Sequence, residues 1–282
     1  MLNSIVSLNR SLRITGILEI AKPQATSIIV AGSHSIFEGP QPIIFNMIDH
    51  LPEGSKAVAS TRRREDIVRM TMGLDLSCYP YSERDGTGAG VLAAQDFIRR
   101  SLATDVIITS GDRPLAGPDT YHRMLARLNI FDMVVSGFEP PCDRGYGMLE
   151  IEDGKVYRHT DKHHWNDNNI LSPGTLAVCN AGIYAVKKNL LLQYMAVLAS
   201  RPRIINKAIS GIWKTFERYD LNDLIRFMVS DGRSIGCLIV GDKQEAIRIN
   251  DLNTRYKSPN SANQPFDANG TGGFLSPVVF SR

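Results

Sequence analysis

Hydrophobic positions fall into short apolar runs that alternate with amphipathic segments along the first half of the chain. The short runs are rich in β-branched residues and are bounded by polar residues, which is typical of buried strands. Strands are predicted at residues 27–31, 56–60, 74–78, 105–109 and 132–136. Helical spacing predicts helices between them, at residues 41–51, 62–72, 91–102 and 118–128. This alternation predicts βαβ units, and therefore an α/β fold with a mainly parallel sheet.

The pattern changes in the second half, where a hairpin interrupts the alternation. Asp153-Gly154 lies between the apolar runs 148–150 and 155–158, and this dipeptide is a strong hairpin signal. Further strands are predicted at 176–186 and 234–240, with helices at 187–198, 202–213 and 221–230. From residue 257 onward Ser, Asn, Pro and Gly dominate. We therefore predict one domain over residues 1–256, with an atypical N-terminal segment at 1–26 and a disordered tail at 257–282.

Composition narrows the class of protein without naming a function. The chain has 282 residues, of which 43% are hydrophobic and 22% charged, an ordinary balance for a globular domain. A net charge of +3 argues against nucleic acid or a membrane surface as a partner. The cysteines are widely spaced and form no Cys-x-x-Cys pair, so neither a zinc site nor a dense disulfide framework is indicated. A reducing, cytoplasmic location fits this pattern.

The first 18 residues are basic and contain no acidic residue before Glu19. Such a segment resembles a weak transit peptide. An amphipathic opening segment of the domain explains it equally simply, and is the interpretation favoured here.

Candidate chemistry is concentrated where the strand at 105–109 ends. Ser110-Gly111-Asp112 follows directly, and open α/β sheets place their ligands at the carboxyl ends of strands. Gly111 allows the backbone to approach a ligand closely. The Asp112 carboxylate is a suitable Mg²⁺ ligand, since Mg²⁺ prefers carboxylate and phosphate oxygens. An ordinary turn aspartate is the alternative, because Gly and Asp are common in turns.

Three further segments could contact a ligand. Asp85-Gly86-Thr87-Gly88-Ala89-Gly90 precedes a predicted helix, so its N–H groups and the helix dipole could hold a nucleotide, or it could simply be a helix-entry turn. Gly145-Tyr146-Gly147 opens the hairpin and could place backbone amides against a ligand or form a tight turn. Asn180 lies within a predicted strand, where it could bind a sugar hydroxyl or be satisfied by backbone.

His159, Asp161, His163, His164 and Asp167 form a cluster that could bind a metal. Adjacent residues on a strand point to opposite faces, so His163 and His164 are poorly placed to share one ion. A solvated loop is therefore the favoured interpretation of this cluster.

The order and spacing of these motifs resemble those of the sugar-1-phosphate nucleotidyltransferases, and most closely the N-acetylglucosamine-1-phosphate uridylyltransferases. The resemblance covers residues 42–256 and rests on segments 85–92, 109–115, 145–147, 153–156, 180–184, 219–224 and 249–253. It implies the three-layer nucleotide-diphospho-sugar transferase fold, Rossmann-like, with a hairpin subdomain. It also implies Mg²⁺-assisted transfer of a nucleotidyl group, with UTP favoured as in the uridylyltransferases, to a sugar-1-phosphate similar to N-acetylglucosamine-1-phosphate, with release of pyrophosphate.

The resemblance assigns roles to particular residues. Asp112 and Asn250 would hold Mg²⁺; Asp112 and Lys22 would be the catalytic residues, with Lys22 as the candidate cation for the triphosphate. The nucleotide would contact Gly86, Thr87, Ser110 and Gly111, with Tyr81 at the position of the family's base-reading Gln. The sugar would contact Gly147 and Asn180, together with Thr160 or Asp161, depending on a one-residue choice of alignment.

The chain departs from the family at its N-terminal Gly-rich loop, which is degenerate here. The first strand is either 12–20 or 27–31, and neither is followed by the glycines and arginine that wrap a triphosphate. Lys22 is the nearby cation. This departure keeps a second hypothesis open, a non-catalytic relative that binds a nucleotide sugar or a protein partner. A related cytidylyl- or guanylyltransferase is a third. The family's acetyltransferase domain is not expected after residue 256.

Overall fold

The computed structural model describes residues 24–32, 43–62, 64–71, 73–82, 85–113, 115–139, 146–161, 164, 171, 173–209 and 211–246. The predicted tail at 257–282 and most of the segment at 1–26 lie outside these residues. The strands are β1 Thr26–Ala31, β2 Lys56–Ser60, β3 Ser77–Pro80, β4 Asp105–Ser110, β5 Met133–Phe138, β6 Met148–Glu152, β7 Lys155–Thr160, β8 Leu176–Lys187, β9 Arg203–Ile209, β10 Ile212–Arg218 and β11 Ile235–Ile239. The helices are α1 Ile43–His50, α2 Arg64–Met70, α3 Thr87–Ala93, α4 Gln95–Arg100, α5 Pro118–Arg127, α6 Lys188–Ser200 and α7 Asp223–Ser230.

The central sheet is covered by helices on both faces. Successive residues of a strand point to opposite faces, and in β1 Ile28 belongs to one core cluster while Ile29 belongs to the other. The first cluster packs the sheet against α3, α4, α6 and α7. The second packs it against α1, α2 and α5. The buried strands are accordingly apolar through their centres, as strands covered on both faces are.

The sheet is mixed rather than mainly parallel. Its nine strands are ordered β3-β2-β1-β4-β8-β5-β11-β7-β6. The four strands β3, β2, β1 and β4 pair in parallel, as predicted. The long strand β8 is inserted antiparallel between β4 and β5, and the β6–β7 hairpin is also antiparallel. The α/β class is therefore confirmed, but parallel pairing among the described strands joins only β3, β2, β1 and β4, and β5 with β11. β8 also pairs antiparallel with β6, so all three of its pairings are antiparallel.

Most predicted elements are present within a few residues of their expected bounds. The hairpin turn at Asp153-Gly154 has positive φ at both residues, 48° and 76°, as a tight two-residue turn requires. The predicted strand at 74–78 begins later, at Ser77. The predicted helix at 91–102 is two shorter helices, because α3 ends at Ala93 and α4 begins at Gln95.

The predicted helix at 202–213 is wrong. Residues of this segment form β9, which pairs antiparallel with β10 in a separate two-stranded sheet. The hairpin is largely exposed, and the Ile204, Ile212 and Trp213 side chains are 61%, 64% and 74% exposed. Because no core face imposes a period on these strands, their sequence lacks the regular alternation that identifies a strand. The β-branched isoleucines of this segment are the sequence feature that favours a strand.

The state of the cysteines bears on the cellular compartment of the protein. Cys237 is a buried free thiol, whereas Cys179 is disulfide-bonded. A disulfide is unexpected in a reducing compartment, so the cytoplasmic location stays a prediction. Among the described residues, no helix is long and apolar enough to cross a membrane.

Candidate functional site

A cleft of about 790 Å³ opens at the carboxyl ends of β1 and β4. This is the edge at which open α/β sheets bind ligands. Six residues proposed from the sequence line it together, although they come from five separate segments of the chain. They are Thr87, Ser110, Asp112, Gly147, Asp161 and Asn180.

Four other predicted site residues lie beside the cleft and do not line it. The Tyr81 ring packs against the core, close to Gly90. Gly111 donates its N–H to the Val30 carbonyl at 2.8 Å, which fixes the turn that presents Asp112. Thr160 is buried and donates its hydroxyl to Glu150 Oε1 at 3.0 Å. Of the two alignments considered for the sugar-side residue, the cleft geometry therefore favours Asp161 over Thr160.

Gly86 supports the cleft wall instead of contacting its interior. Its φ is +86°, a region that favours glycine, and a Cβ there would lie 2.4 Å from the Tyr219 carbonyl oxygen. The next glycine, Gly88, donates its N–H to the same oxygen at 2.7 Å. These contacts join the Gly-rich turn to the segment before α7, and leave Thr87 as the member of the turn that lines the cleft. Thr87 Oγ1 accepts a hydrogen bond from the Leu221 N–H at 3.2 Å.

Lys22 and Asn250, the predicted catalytic cation and second metal ligand, lie outside the described residues. His163 and Asp167 of the histidine-rich cluster do so as well. The roles assigned to these four residues remain predictions.

Asp112 presents a carboxylate to the cleft, where its Oδ1 forms an ion pair with Arg113 Nε at 3.5 Å. Its side chain is 20% exposed, and its Oδ1 is buried without a hydrogen-bond partner. A buried carboxylate oxygen without a hydrogen bond is costly unless something binds it. The atom is therefore available to a cation, and a carboxylate oxygen is the ligand type that Mg²⁺ prefers. No group of three or more His, Cys, Asp or Glu able to hold a metal occurs among the described residues. Any Mg²⁺ at Asp112 would thus take its other ligands from substrate phosphates, water or residues not described.

Asn180 is held in a hydrogen-bonded cluster with two residues that sequence reasoning did not select, Tyr184 and Asn222. Asn180 Nδ2 donates to Tyr184 Oη at 3.0 Å and to Asn222 Oδ1 at 3.1 Å, and Asn180 Oδ1 accepts the Gly182 N–H at 2.8 Å. Tyr184 donates its hydroxyl to Asn222 Oδ1 at 2.6 Å. Burial raises the pKa of Tyr184 to about 12, so its proton stays in place at neutral pH.

This cluster changes the expected role of Asn180. Its amide already satisfies both its oxygen and its nitrogen inside the protein, whereas Asn222 uses its oxygen and keeps its amide nitrogen for other partners. Asn180 is therefore a positioning residue for Gly182 and Asn222, as well as a lining residue. The signal for Tyr184 was present in the sequence, because residues 180 and 184 lie on the same face of one strand.

We expect Asn180→Ala to weaken binding of a sugar-1-phosphate more than binding of a nucleotide, by about 0.5–1.5 kcal/mol for each hydrogen bond lost. The reason is that Asn222 and Gly182 lose their support on the sugar side of the cleft. Calorimetric titrations of both ligands check this. Asn206→Ala, which changes an exposed asparagine of β9 bonded to Thr215, is the matched control. Equal loss for the two ligands would contradict the assignment.

Asp161 is engaged in an ion-pair network at the base of the β9–β10 hairpin. Arg203 Nη1 donates to Asp161 Oδ2 at 2.5 Å, and Arg203 Nε donates to Asp223 Oδ2 at 2.8 Å. Asp220 Oδ2 lies 3.6 Å from Arg203 Nη1. Burial alone would raise the pKa of Asp161, but its hydrogen bond to Arg203 and the charge of that residue hold the pKa below its ordinary value. The Asp161 carboxylate is thus ionised, and its Oδ2 is already bonded to Arg203 before any sugar binds.

His159 lies behind the cleft wall, against Gly147. Its side chain is 3% exposed, its Nδ1 is 3.8 Å from Asp161 Oδ1, and its buried Nε2 has no hydrogen-bond partner. A Cβ on Gly147 would lie 2.5 Å from that Nε2, so only glycine fits here. Burial lowers the pKa of His159, with Asp161 acting in the opposite direction. The imidazole is therefore neutral in the folded protein.

The neutral state of His159 predicts a loss of stability in mild acid. The unfolded state takes up this proton near pH 6.5, and the folded state does so only at lower pH. The free energy of unfolding should be fully retained above about pH 6.5 and should fall below it, by at most about 1.4 kcal/mol per pH unit. Urea unfolding between pH 8 and 5 measures this slope. In His159→Gln the slope in that window should flatten, and an unchanged slope would show that another group is responsible.

The fold is also seen in two nucleotide-related enzymes of known structure. The chain superimposes on 4-diphosphocytidyl-2C-methyl-D-erythritol synthase from Anaerococcus prevotii with a TM-score of 0.53, covering 82% of this chain and 96% of that one. It superimposes on CMP:2-keto-3-deoxy-manno-octonic acid synthetase, solved with CTP, with a TM-score of 0.52 over 78% and 90% of the two chains. Sequence identity is 12% in both cases, so these similarities establish the fold alone.

Curated relatives at the sequence level are bifunctional GlmU proteins. The protein from Rhizobium johnstonii is 27% identical over 222 residues, which cover 76% of this chain and 44% of the relative. The protein from Agrobacterium fabrum is 30% identical over 162 residues, 57% of this chain and 32% of the relative. The chain therefore spans less than half the length of these relatives. No model of a protein family matches it. The predicted resemblance to the sugar-1-phosphate nucleotidyltransferases is confirmed.

Proposed function

We propose that the protein transfers a nucleotidyl group from a nucleoside triphosphate, with UTP favoured, to a sugar-1-phosphate similar to N-acetylglucosamine-1-phosphate. An acceptor phosphate oxygen would bond to the α-phosphorus while the bond to the β-phosphate breaks, and pyrophosphate would leave. The observation that carries the proposal is the convergence of six predicted residues in one cleft at the carboxyl edge of the sheet. Neither the motifs nor the cleft alone distinguishes this reaction from simple binding.

Catalysis of this kind relies on positioning and on charge neutralisation, and needs no covalent intermediate on the protein. Thr87 and Ser110 line the nucleotide side of the cleft, and Asn180, Asn222 and Gly147 line the sugar side. Asp112 lies where the two substrates would meet. The polar cluster of Asn180, Tyr184 and Asn222 is held together before substrate arrives, which reduces the cost of ordering it on binding.

A magnesium ion fits the chemistry of Asp112, because Oδ1 of that carboxylate is buried and makes no hydrogen bond among the described residues, although Arg113 Nε lies 3.5 Å away. Asp112 would hold the ion, with Asn250 proposed as the second protein ligand. When bound, the ion would supply positive charge to the phosphates of the substrates. Lys22 is proposed to add a second positive charge on the triphosphate side.

A pyrophosphate-release assay tests the proposal directly. Each of the four nucleoside triphosphates is combined with a panel of sugar-1-phosphates in the presence of Mg²⁺. We expect release with UTP and N-acetylglucosamine-1-phosphate, and none when either substrate is omitted. Release with CTP or GTP in place of UTP would keep the reaction class and correct the base.

A non-catalytic relative that binds a nucleotide sugar is the second candidate function. Two observations favour it, namely the missing glycines and arginine of the N-terminal loop and the engagement of Asp161 by Arg203. Binding of a nucleotide sugar without pyrophosphate release from any substrate pair would establish this alternative. The two functions are thus separated by the same assay combined with a calorimetric titration.

A further inference from the structure

Arg113, the residue after Asp112, carries a buried positive charge into the floor of the cleft. Its side chain is 6% exposed, and the residue lines the cleft. Its guanidinium is fixed from two sides. Nη1 donates a hydrogen bond to the Ala246 carbonyl, and Cζ lies 4.8 Å from the centroid of the Tyr146 ring. The side chain is therefore held in one place before a ligand binds.

This anchoring leaves much of the guanidinium unused. Arginine has five N–H donors, and the described structure engages one of them, at Ala246. The buried Nε has no hydrogen-bond partner. It lies 3.5 Å from Asp112 Oδ1, which also lacks a hydrogen-bond partner, so the two groups attract without bonding. Buried donors on a charged group are costly to leave unpaired.

Arg113 also differs from the other arginines of the cleft. Three described arginines line it, and two of them donate hydrogen bonds to carboxylates, Arg203 to Asp161 and Arg218 to Asp220. Arg113 makes no such bond. The guanidinium groups of Arg203 and Arg218 are therefore bonded to carboxylates inside the protein. Arg113 lies 3.5 Å from Asp112 Oδ1 without a hydrogen bond, which leaves N–H groups for an incoming anion.

Arg113, Ser110 and Gly182 all line the cleft, so an anion in the cleft can reach the guanidinium. A Cβ placed on Gly182 would lie 3.6 Å from both Arg113 Nε and Ser110 Cβ, so another atom fits between the β8 backbone and Arg113 without a clash. Gly182 is adjacent to the sugar-side cluster, since its N–H donates to Asn180 Oδ1. The free space thus lies between the sugar side of the cleft and Asp112.

We propose that Arg113 binds the phosphate group of the acceptor sugar phosphate and sets it beside Asp112. A guanidinium fork matches phosphate oxygens with paired hydrogen bonds. The group bound is a phosphate monoester, and the sugar attached to it would extend toward Asn180 and Asn222. The inference rests on the proposed function for the identity of the acceptor, and on the geometry of Arg113 for the anion.

The test is a set of calorimetric titrations with the full chain in the absence of nucleotide. The ligands are N-acetylglucosamine-1-phosphate, the neutral sugar N-acetylglucosamine, inorganic phosphate and, separately, UTP. The variants are Arg113→Met, which keeps length and apolar packing, and Arg113→Lys, which keeps the charge but loses the fork. Arg226→Met is the control, because Arg226 is a surface arginine on α7 that pairs with Asp223 outside the cleft.

We expect Arg113→Met to lose affinity for the sugar phosphate and for inorganic phosphate by about 10- to 100-fold, as for hydrogen bonds to a charged group. Affinity for the neutral sugar should change less than about 2-fold. Arg113→Lys should lose about 3- to 10-fold for the two phosphates. Arg226→Met should match the wild type. If Arg113→Met fails to fold, the Arg113→Lys comparison between phosphorylated and neutral sugar still decides.

Three results would overturn the inference. Equal loss for the neutral and the phosphorylated sugar would assign Arg113 a purely structural role against Tyr146 and Ala246. Loss confined to UTP would assign its charge to the nucleoside triphosphate. Failure of the wild type to bind either the sugar phosphate or inorganic phosphate would show that the cleft has no such anion site. Arg113-dependent phosphate binding without any nucleotidyl transfer would support the inference while refuting the proposed function.

Discussion

Replacing Asp112 by Asn is expected to lower the rate of pyrophosphate release by about 10²–10³-fold. The substitution keeps the shape of the side chain and removes its charge. It acts on the carboxylate whose Oδ1 is buried without a hydrogen-bond partner at the floor of the cleft. An amide oxygen is a much weaker partner for a divalent cation than a carboxylate oxygen. The rate at saturating substrates, measured across a Mg²⁺ titration, checks the prediction.

The Mg²⁺ titration gives this experiment its specificity. The variant should need a higher Mg²⁺ concentration for half-maximal activity, or for half-maximal nucleotide binding if no turnover is detected. Asp119→Asn, at an 82% exposed aspartate in the first turn of α5, is the matched control and should behave as the wild type. A variant at position 112 with more than half of the wild-type rate and an unchanged Mg²⁺ requirement would remove Asp112 from the catalytic site.

Replacing Arg203 by Met is expected to lower the free energy of unfolding by about 3–5 kcal/mol. Arg203 donates two hydrogen bonds to the Asp223 carboxylate, a side chain that is 1% exposed, and a third to Asp161. Without the guanidinium, Asp223 stays buried with only Arg226 Nη2 at 3.3 Å, and Asp220 and Asp161 lose the same cation. Breaking one side of a buried ion pair is far more costly than never forming it.

Urea unfolding followed by circular dichroism at neutral pH measures this loss. Arg226→Met is again the control, because the Arg226 side chain is 62% exposed and its pair with Asp223 should contribute only about 0–1 kcal/mol. A loss below about 1 kcal/mol in Arg203→Met would show that the network is compensated by solvent. Since Arg203 begins β9, we also expect its variant to release the β9–β10 hairpin to proteolysis before the rest of the domain.

The buried strands could be predicted because their sequences meet two local conditions at once. β1, β2 and β4 are short β-branched runs with polar boundaries, and both of their faces are covered by helices. The β9–β10 hairpin meets neither condition. Its strands pair only with each other and expose most of their side chains, so burial imposes no period on the sequence. The helix predicted there is wrong because the spacing of apolar residues in this segment does not correspond to a buried helical face.

Whether a strand runs parallel or antiparallel to its neighbours also could not be predicted from the local sequence pattern. The sequence indicates where β8 begins and ends, but the hydrophobic pattern of this strand does not specify whether its neighbours are parallel or antiparallel. Its place between β4 and β5 is decided by pairing partners that are distant in the chain. The mixed sheet is a property of the assembled fold for this reason.

The sequence by itself determined the α/β class, the position of Asp112 at the end of a buried strand, and the ordered motifs that reveal the family resemblance. These are local features, since each depends on residues within a few positions of one another. Only the tertiary structure decided that Asp161 faces the cleft while Thr160 bonds to Glu150, and that Asn180 supports Asn222. It also decided that Arg203 pairs with three carboxylates from two segments of the chain. It alone showed that Arg113, unlike Arg203 and Arg218, makes no hydrogen bond to a carboxylate among the described residues. These assignments depend on hydrogen bonds between residues far apart in the chain, and such bonds leave no period or spacing in the sequence.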